Sequence, residues 1–364
     1  MRIAHIVSPN YMFTDFYGGT EAIVMALAKE QMKEGHDVYV FSGECGTPNF
    51  NDSHLISFSP VSSHRVWPVS WILDRMTGAR HMYKSCKFVD APFDVVHNHL
   101  SEEGIALSFL SKVPCLTTLH GIAHMKFPQS FVTKFFATTR RTKLVAISRS
   151  GYIGFKRFYG DDLIGYVYHG LDLSRFPFIA SPVKQHELQL CSFGRIAPEK
   201  GIVEAIKITD ILHERGVDVE LRITAKYDAR NRSYFRKVLL LSSRRPYVFL
   251  KLNATFEEMV QQIGNSDAFL FPVQCEEPFG LAMIESMAYG TPVIAFARGA
   301  AKEVIKHNIT GILCENLDDM VNAAYMVANI DRKNCRRRVE ELFNLKSMSL
   351  QYLRIYGEVI ASNT

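Results

Sequence analysis

The chain has no run approaching the roughly 18 consecutive apolar residues of a membrane-spanning helix, so any membrane contact is expected to be peripheral. Its opening, Met1-Arg2-Ile3-Ala4-His5-Ile6-Val7, is too short an apolar run for a secretory signal. Cysteine is sparse: seven residues, at 45, 86, 115, 191, 275, 314 and 335, odd in number and without a C-x-x-C pair. That pattern argues for a reducing, cytoplasmic setting. A Gly-x-Gly-x-x-Gly loop is also missing, which disfavours a nicotinamide-dependent oxidoreductase.

What is present is an ordinary globular composition, 47% hydrophobic and 22% charged over 364 residues, enough for two domains. The net charge of +5 is modest, and the basic runs Arg140-Arg141, Arg244-Arg245 and Arg336-Arg337-Arg338 are dispersed. Solvated helix faces account for most such runs; a phosphate-bearing substrate or an anionic membrane surface would be the functional alternatives. Nucleic acid is not an expected partner.

Short apolar runs alternate with helical stretches throughout, the pattern of parallel α/β sheets. Runs at 3–7, 38–41, 95–97, 116–119, 144–147 and 165–168 predict strands of a first domain. Those at 188–193, 219–223, 248–250, 268–271, 293–296 and 312–314 predict a second set. A polar stretch with Pro177 and Pro182 separates them. The predicted division is therefore 1–172, a linker at 173–187, 188–342, and a terminal helix in 343–364 whose apolar spacing (Leu345, Met348, Leu353, Tyr356, Ile360) suits packing. Thr255-Phe256-Glu257-Glu258 has the spacing of a capping box.

Three stretches carry candidate chemistry. In Glu277-Pro278-Phe279-Gly280-Leu281-Ala282-Met283-Ile284-Glu285 a strand leads through a loop into an apolar helix. The two carboxylates flank a helix start, where unpaired amides and the helix dipole favour an anion. Spacing alone is weak, since such pairs occur by chance in many helical proteins. Phe193-Gly194-Arg195-Ile196-Ala197-Pro198-Glu199-Lys200-Gly201 puts two cations at another strand-to-helix junction, suited to a departing diphosphate. Gly18-Gly19, after the first strand, would let backbone approach a ligand, although paired glycines often only make a turn. His120, at the carboxyl end of a predicted strand, stands where ligand sites of open α/β sheets gather. A lone histidine is more often structural. His97-Asn98-His99 resembles a metal pair but shows no third ligand at suitable spacing, and reads as a strand end. Arg149 is a further candidate. The aromatic stretch 66–72, with Trp67 and Trp71, predicts packed core, or a lipid or aromatic acceptor surface if exposed.

From Glu277 to Ile294 the sequence EPFGLAMIESMAYGTPVI resembles the signature of the family-4 retaining glycosyltransferases, and Gly194-Arg195 through Lys200-Gly201 resembles the G-R-x-x-x-x-K-G pattern of the same family. The resemblance spans nearly the whole chain and is most specific in its second half. It implies a GT-B fold: α/β, two facing Rossmann-like domains with parallel sheets, and a C-terminal helix crossing back to the first. It implies transfer of a hexose from a nucleotide diphosphate sugar, with UDP-glucose favoured and a GDP-sugar possible, to an acceptor hydroxyl of unidentified class. By the same resemblance Glu277 contacts the donor sugar and Glu285 the ribose. Arg195 and Lys200 meet phosphate; Phe279, Gly280 and Leu281 line the anion site; Gly18 and Gly19 approach the phosphates; and His120 meets donor sugar or acceptor. An Asp-x-Asp pair, which holds a divalent metal on diphosphate in the other major glycosyltransferase fold, is absent. No cofactor and no metal are therefore expected. His169-Gly170-Leu171-Asp172 departs from the family's Asn-Gly-Val-Asp, Lys251 replaces a common glycine, and Ala225-Lys226-Tyr227-Asp228 replaces a small-residue turn. A related epimerase or phosphorylase, or a non-enzymatic sugar-nucleotide sensor, would share these features.

Overall fold

The computed structural model describes residues 1–7, 19–42, 55–57 (backbone only), 93–100, 105, 113–121, 142–183 and 185–363. Gly18, the stretch 66–72 and Arg140-Arg141 lie outside the described residues. The chain divides into two compact units, Met1–Gly170 with Leu345–Thr364, and Leu171–Asn344.

In the first unit, strands β1 (Arg2–Ile6), β2 (Asp37–Ser42), β3 (Leu55–Ser57), β4 (Val95–Asn98), β5 (Cys115–Leu119), β6 (Thr142–Ala146) and β7 (Leu163–Tyr166) pair in the order β3-β2-β1-β4-β5-β6-β7. Every pairing is parallel. All residues of β4 and β5 are buried, as expected of strands covered on both faces. The expected strand runs all appear within a residue or two, but β3 was not anticipated: three residues are too few to show an alternation. Helix α1 (Thr20–Lys33) follows β1, and α2 (Arg149–Tyr159) follows β6 with Ser148 capping it through the Gly151 amide at 3.0 Å.

The second unit contains β8 (Leu188–Arg195), β9 (Val219–Lys226), β10 (Val248–Leu252), β11 (Ala268–Phe271), β12 (Val293–Phe296) and β13 (Gly311–Cys314), all parallel, ordered β10-β9-β8-β11-β12-β13. Its helices are α3 (Ile202–Glu214), α4 (Arg232–Ser243), α5 (Phe256–Gly264), α6 (Leu281–Ala288), α7 (Ala301–Val304), α8 (Leu317–Met326) and α9 (Arg332–Leu342). The capping box opens α5, with Thr255 and Glu258 satisfying each other's backbone amides. Residues 171–183 pack on this unit: Phe176 meets Tyr289 at 5.4 Å, and the Ile179 amide donates to the Tyr289 carbonyl at 3.0 Å.

Both sheets reverse their strand order once, between β1 and β4 and between β8 and β11. At such a point the loops from neighbouring strands run in opposite directions and leave a crevice beyond the carboxyl ends of the strands. Residues leaving β1, β4, β8 and β11 are thereby placed where a ligand can be held.

Helix α10 (Leu345–Ala361) closes the first unit by packing on α1, β4 and β5. Its buried face carries Tyr352 and Tyr356, whose hydroxyls bond Thr118 at 3.1 Å and Gln31 at 3.3 Å. Polar contacts of this kind fix the register of a helix that apolar contact alone would let slide.

Candidate functional site

In the second unit, two loops meet at the reversal between β8 and β11. The chain leaves β8 through a short turn, Pro198–Lys200, ending at Gly201 with φ +71°. A Cβ there would lie 1.9 Å from the Pro272 carbonyl oxygen, so only glycine lets this turn press against the exit of β11. The Gln274 amide donates to the Glu199 carbonyl at 2.8 Å and locks the loops together. The result is a direct contact between two sequence-predicted residues: Lys200 Nζ lies 2.8 Å from Glu277 Oε2, both side chains partly buried.

The Glu277 loop is anchored from its other side. Its carbonyl accepts from the Ala300 amide at 2.9 Å, and the Glu276 carboxylate accepts from the Gly299 amide at 2.5 Å. Gly299 has φ +51°, and a Cβ on it would overlap the Glu277 backbone. The loop then enters α6 through Gly280, at φ +84°, with no side chain capping the helix. The first-turn amides of Leu281 and Ala282, both only partly buried, thus begin an uncapped helix. Phe279 turns inward, 2% exposed and edge-on to Phe343, which leaves only its backbone for a ligand.

Glu285 follows on α6, 4% exposed. Its Oε2 is buried and has no hydrogen-bond partner among the described residues, and burial pushes its carboxyl well above the usual carboxylate range. A buried carboxyl oxygen left unpaired is costly and uncommon.

Arg195 has a different setting from Lys200. Its guanidinium, 42% exposed, donates to Asp228 at 2.8 Å and to Glu199 at 2.9 Å. Asp228 also receives Arg230, which with Arg195 holds its carboxyl well below the ordinary value against the cost of burial. Two of the five guanidinium donors are committed by these bonds. Asp228 was not singled out by the sequence reading, although an Asp two residues before an Arg at a strand exit is a turn-forming signal. Lys226 is exposed at the end of β9, and Lys251 is exposed and paired with Glu258.

The first unit assembles a second group at its own reversal. His5 on β1 lies opposite His97 on β4 in the parallel register. His99 follows β4, and His120 follows β5. His5 Nδ1 and His99 Nε2 are 3.0 Å apart, and His99 Nδ1 and His120 Nε2 are 3.1 Å apart. The His120 ring stacks on His169 at 5.3 Å. His5, His97, His99 and His169 are buried, whereas His120 reaches partial exposure. Burial lowers all five, His5 to about 4 and His169 to about 3, so the rings are neutral near pH 7. The third ligand that the sequence did not reveal beside His97 and His99 is His5: ligand atoms of the three lie within 4.8 Å of one another. Yet their ring nitrogens already have protein partners. His97 bonds Tyr356 at 2.6 Å and Thr118 at 2.7 Å, and His5 bonds Gln31 at 2.8 Å. Ninety-odd residues separate His5 from its neighbours, beyond the reach of a spacing rule. Gly19 precedes α1 at φ +129°, and Arg149 opens α2.

Residues 177–341 match the family model for glycosyl transferases group 1, and residues 17–175 match that for glycosyltransferase family 4. The chain belongs to these glycosyltransferases. Over 324 residues this glycosyltransferase is 23% identical to the uncharacterized glycosyltransferase MJ1607 of Methanocaldococcus jannaschii, covering 81% of this chain and 80% of that protein. Its fold is similar to that of Anabaena Alr3699/HepE, solved in complex with UDP and glucose, at TM-score 0.76 and 15% identity, covering 98% and 100% of the two chains. It is likewise similar to a sucrose-phosphate synthase of Thermosynechococcus elongatus at TM-score 0.78 and 18% identity, covering 99% of both. The GT-B fold implied by the motifs is thus the fold of this glycosyltransferase. Among the described residues no helix is long and apolar enough to cross a membrane.

Proposed function

We propose that the protein transfers a hexose from a nucleotide diphosphate sugar, UDP-glucose favoured over a GDP-sugar, to an acceptor hydroxyl, with retention and without a metal. The observation that carries this reading is the 2.8 Å pair of Lys200 and Glu277 beside an uncapped helix start and the open acceptor on Glu285. A diphosphate seated there would meet a cation and helix amides, while carboxylates on either side accept from sugar and ribose hydroxyls. A similar fold, that of Alr3699/HepE, has been solved with UDP and glucose. The bond from the sugar anomeric carbon to the phosphate oxygen breaks, with its electron pair leaving on the diphosphate. The acceptor oxygen bonds to the same face of that carbon, and its proton passes to a donor phosphate oxygen. Lys200 and the amides at Leu281 and Ala282 stabilise the charge that grows on the leaving group, with Arg195 as a second cation; in the first unit His120 is the candidate contact for a sugar or acceptor hydroxyl. Charge neutralisation by these groups is the reason no metal is assigned, and turnover is expected to persist in excess chelator.

A thermal-shift screen against uridine, guanosine and adenosine diphosphates and their sugars tests the reading. At about 100 times its Kd a ligand of the folded state adds about 2.7 kcal/mol, a rise of several degrees. Uridine diphosphate is expected to give it, and a screen with no shift from any nucleotide would contradict the proposal.

Glu285→Gln should separate binding from stability. Because the folded-state pKa of Glu285 is raised, its contribution to stability is full below the unfolded value and is lost as pH rises through the folded one. The amide carries no such term. The variant is therefore expected to be more stable than the parent at about pH 8, by roughly 1 kcal/mol, with no gain at about pH 4. It should also bind the nucleotide about 10-fold or more weakly, since one of the two carboxyl oxygens offered to the ribose hydroxyls becomes an NH2 group that cannot accept. Urea midpoints at both pH values and a nucleotide titration measure the two effects.

A further inference from the structure

Acidic residues are missing from one long stretch of the chain. Between Asp228 and Glu257 there are seven basic residues and no acidic one, so this stretch carries +7 against +5 for the whole protein, and the remainder is net acidic. It folds as α4 and the edge strand β10 beside it. Arg230, Arg245 and Lys251 are answered by Asp228, Asp210 and Glu258. The other four, Arg232, Arg236, Lys237 and Arg244, are exposed along α4 and at its end, and among the described residues they meet no carboxylate. Helical spacing sets two leucines among them: Arg232, Arg236 and Leu240 recur at every fourth position, with Leu239 alongside. Leu239 is 48% exposed and Leu240 51%. The opposite face holds the helix down, since Val238 is fully buried and the Tyr234 hydroxyl accepts from the Val203 amide at 3.2 Å. Exposed Phe249 and Leu252 on β10 continue the apolar character along this margin of the sheet.

We propose that the outer face of α4 docks the protein on an anionic membrane surface, with Leu239 and Leu240 entering the boundary between headgroups and acyl chains while Arg232, Arg236, Lys237 and Arg244 meet lipid phosphates. Paired leucines ringed by cations on an already folded helix are what an interfacial contact requires: the apolar side chains supply depth, and the charges supply attraction to the leaflet. A second copy of the chain fits this face poorly, because a two-fold pairing through α4 sets four cations against four. A nucleic acid fits poorly as well, since leucines neither stack on bases nor hydrogen-bond with them. Two leucines and four cations make a weak anchor, so the contact is reversible and sensitive to salt. The face lies outside the strand exits that carry Arg195, Lys200 and Glu277, and the proposal stands apart from the glycosyl-transfer reading.

Flotation of the full-length protein with lipid vesicles tests the proposal. At about 0.1 M salt the protein is expected to bind vesicles of phosphatidylcholine with about 30% phosphatidylglycerol at least 10-fold more tightly than vesicles of phosphatidylcholine alone, and to lose that preference at about 0.5 M salt. Arg236→Glu with Lys237→Glu should weaken binding to the anionic vesicles about 10-fold or more. Leu239→Ser with Leu240→Ser should weaken it to a similar extent while leaving the charge untouched, which separates insertion from simple attraction. All four positions are exposed, so melting temperatures should stay within a few degrees of the parent; if either pair folds poorly, Arg236→Gln alone and Leu240→Ser alone carry the same comparison. Equal binding to both kinds of vesicle, or parental binding by the leucine pair, would overturn the proposal. So would tighter binding to a single-stranded oligonucleotide than to the anionic vesicles, or a dimer in sedimentation that the leucine pair dissolves. None of these readouts needs turnover, so failure of the glycosyl-transfer reading would leave the result intact.

Discussion

Acidification from about pH 7 to about pH 5 is expected to destabilise the first unit by on the order of 5 kcal/mol or more. Four fully buried histidines, His5, His97, His99 and His169, have folded-state pKa values lowered by burial, so the unfolded chain binds protons that the native unit refuses. Their stabilising contribution is present above the unfolded value near 6.5 and is lost as pH falls toward the folded values, about 4 for His5 and about 3 for His169. Each ring contributes up to about 1.4 kcal/mol per pH unit once the unfolded state is protonated. His120, partly exposed, adds less. Against a total stability of roughly 5–15 kcal/mol for a domain, such a slope unfolds the unit within one to three pH units below neutrality. Urea titrations followed by far-UV circular dichroism, with hydrogen exchange to tell the units apart, would measure it. Stability of the first unit that stays level between about pH 7 and about pH 5 would mean the cluster is solvated. The second unit should respond in the opposite sense at Glu285, whose raised pKa favours the native state at low pH.

Lys200→Ala is the second large effect, expected to lower kcat by about 10²- to 10³-fold, the range for loss of one preorganised group that stabilises developing negative charge. The ion pair with Glu277 is itself worth little in stability: the lysine is 26% exposed and the pair lies near solvent, where such pairs contribute about 1 kcal/mol or less. Melting temperature should therefore move by only a few degrees while turnover collapses. Lys200→Arg keeps the charge but not the compact ammonium and should recover only part of the rate. A Lys200→Ala enzyme with near-parental kcat would remove Lys200 from the chemistry.

Much of the architecture was legible because parallel strands buried on both faces read as short apolar runs, and because loop residues at the strand exits carry local signals. Arg195, Lys200, Glu277 and Gly280 are close to strand ends in sequence, and the pairing of β8 with β11, together with the loop contacts at Gly201 and Gln274, brings Lys200 to Glu277. The histidine cluster was not legible, since His5 lies on β1, His97 and His99 on β4 and just after it, His120 at the exit of β5 and His169 well downstream, and sheet order is what brings them together. Tyr352 and Tyr356 were visible as part of an apolar helical stripe, but their hydroxyl partners depend on where that helix docks. The commitment of Arg195 to Asp228 and Glu199 was likewise hidden, because one partner lies 33 residues downstream on the neighbouring strand exit.

The central claim is that the reversal between β8 and β11 holds a nucleoside diphosphate. Its most direct test is a crystal structure of the protein with whichever nucleoside diphosphate raises its melting temperature most. The account predicts phosphate oxygens at Lys200 and the Leu281 and Ala282 amides, with ribose hydroxyls donating to Glu285. A nucleotide bound elsewhere, with Glu285 still unpaired and Lys200 still held by Glu277 alone, would contradict it.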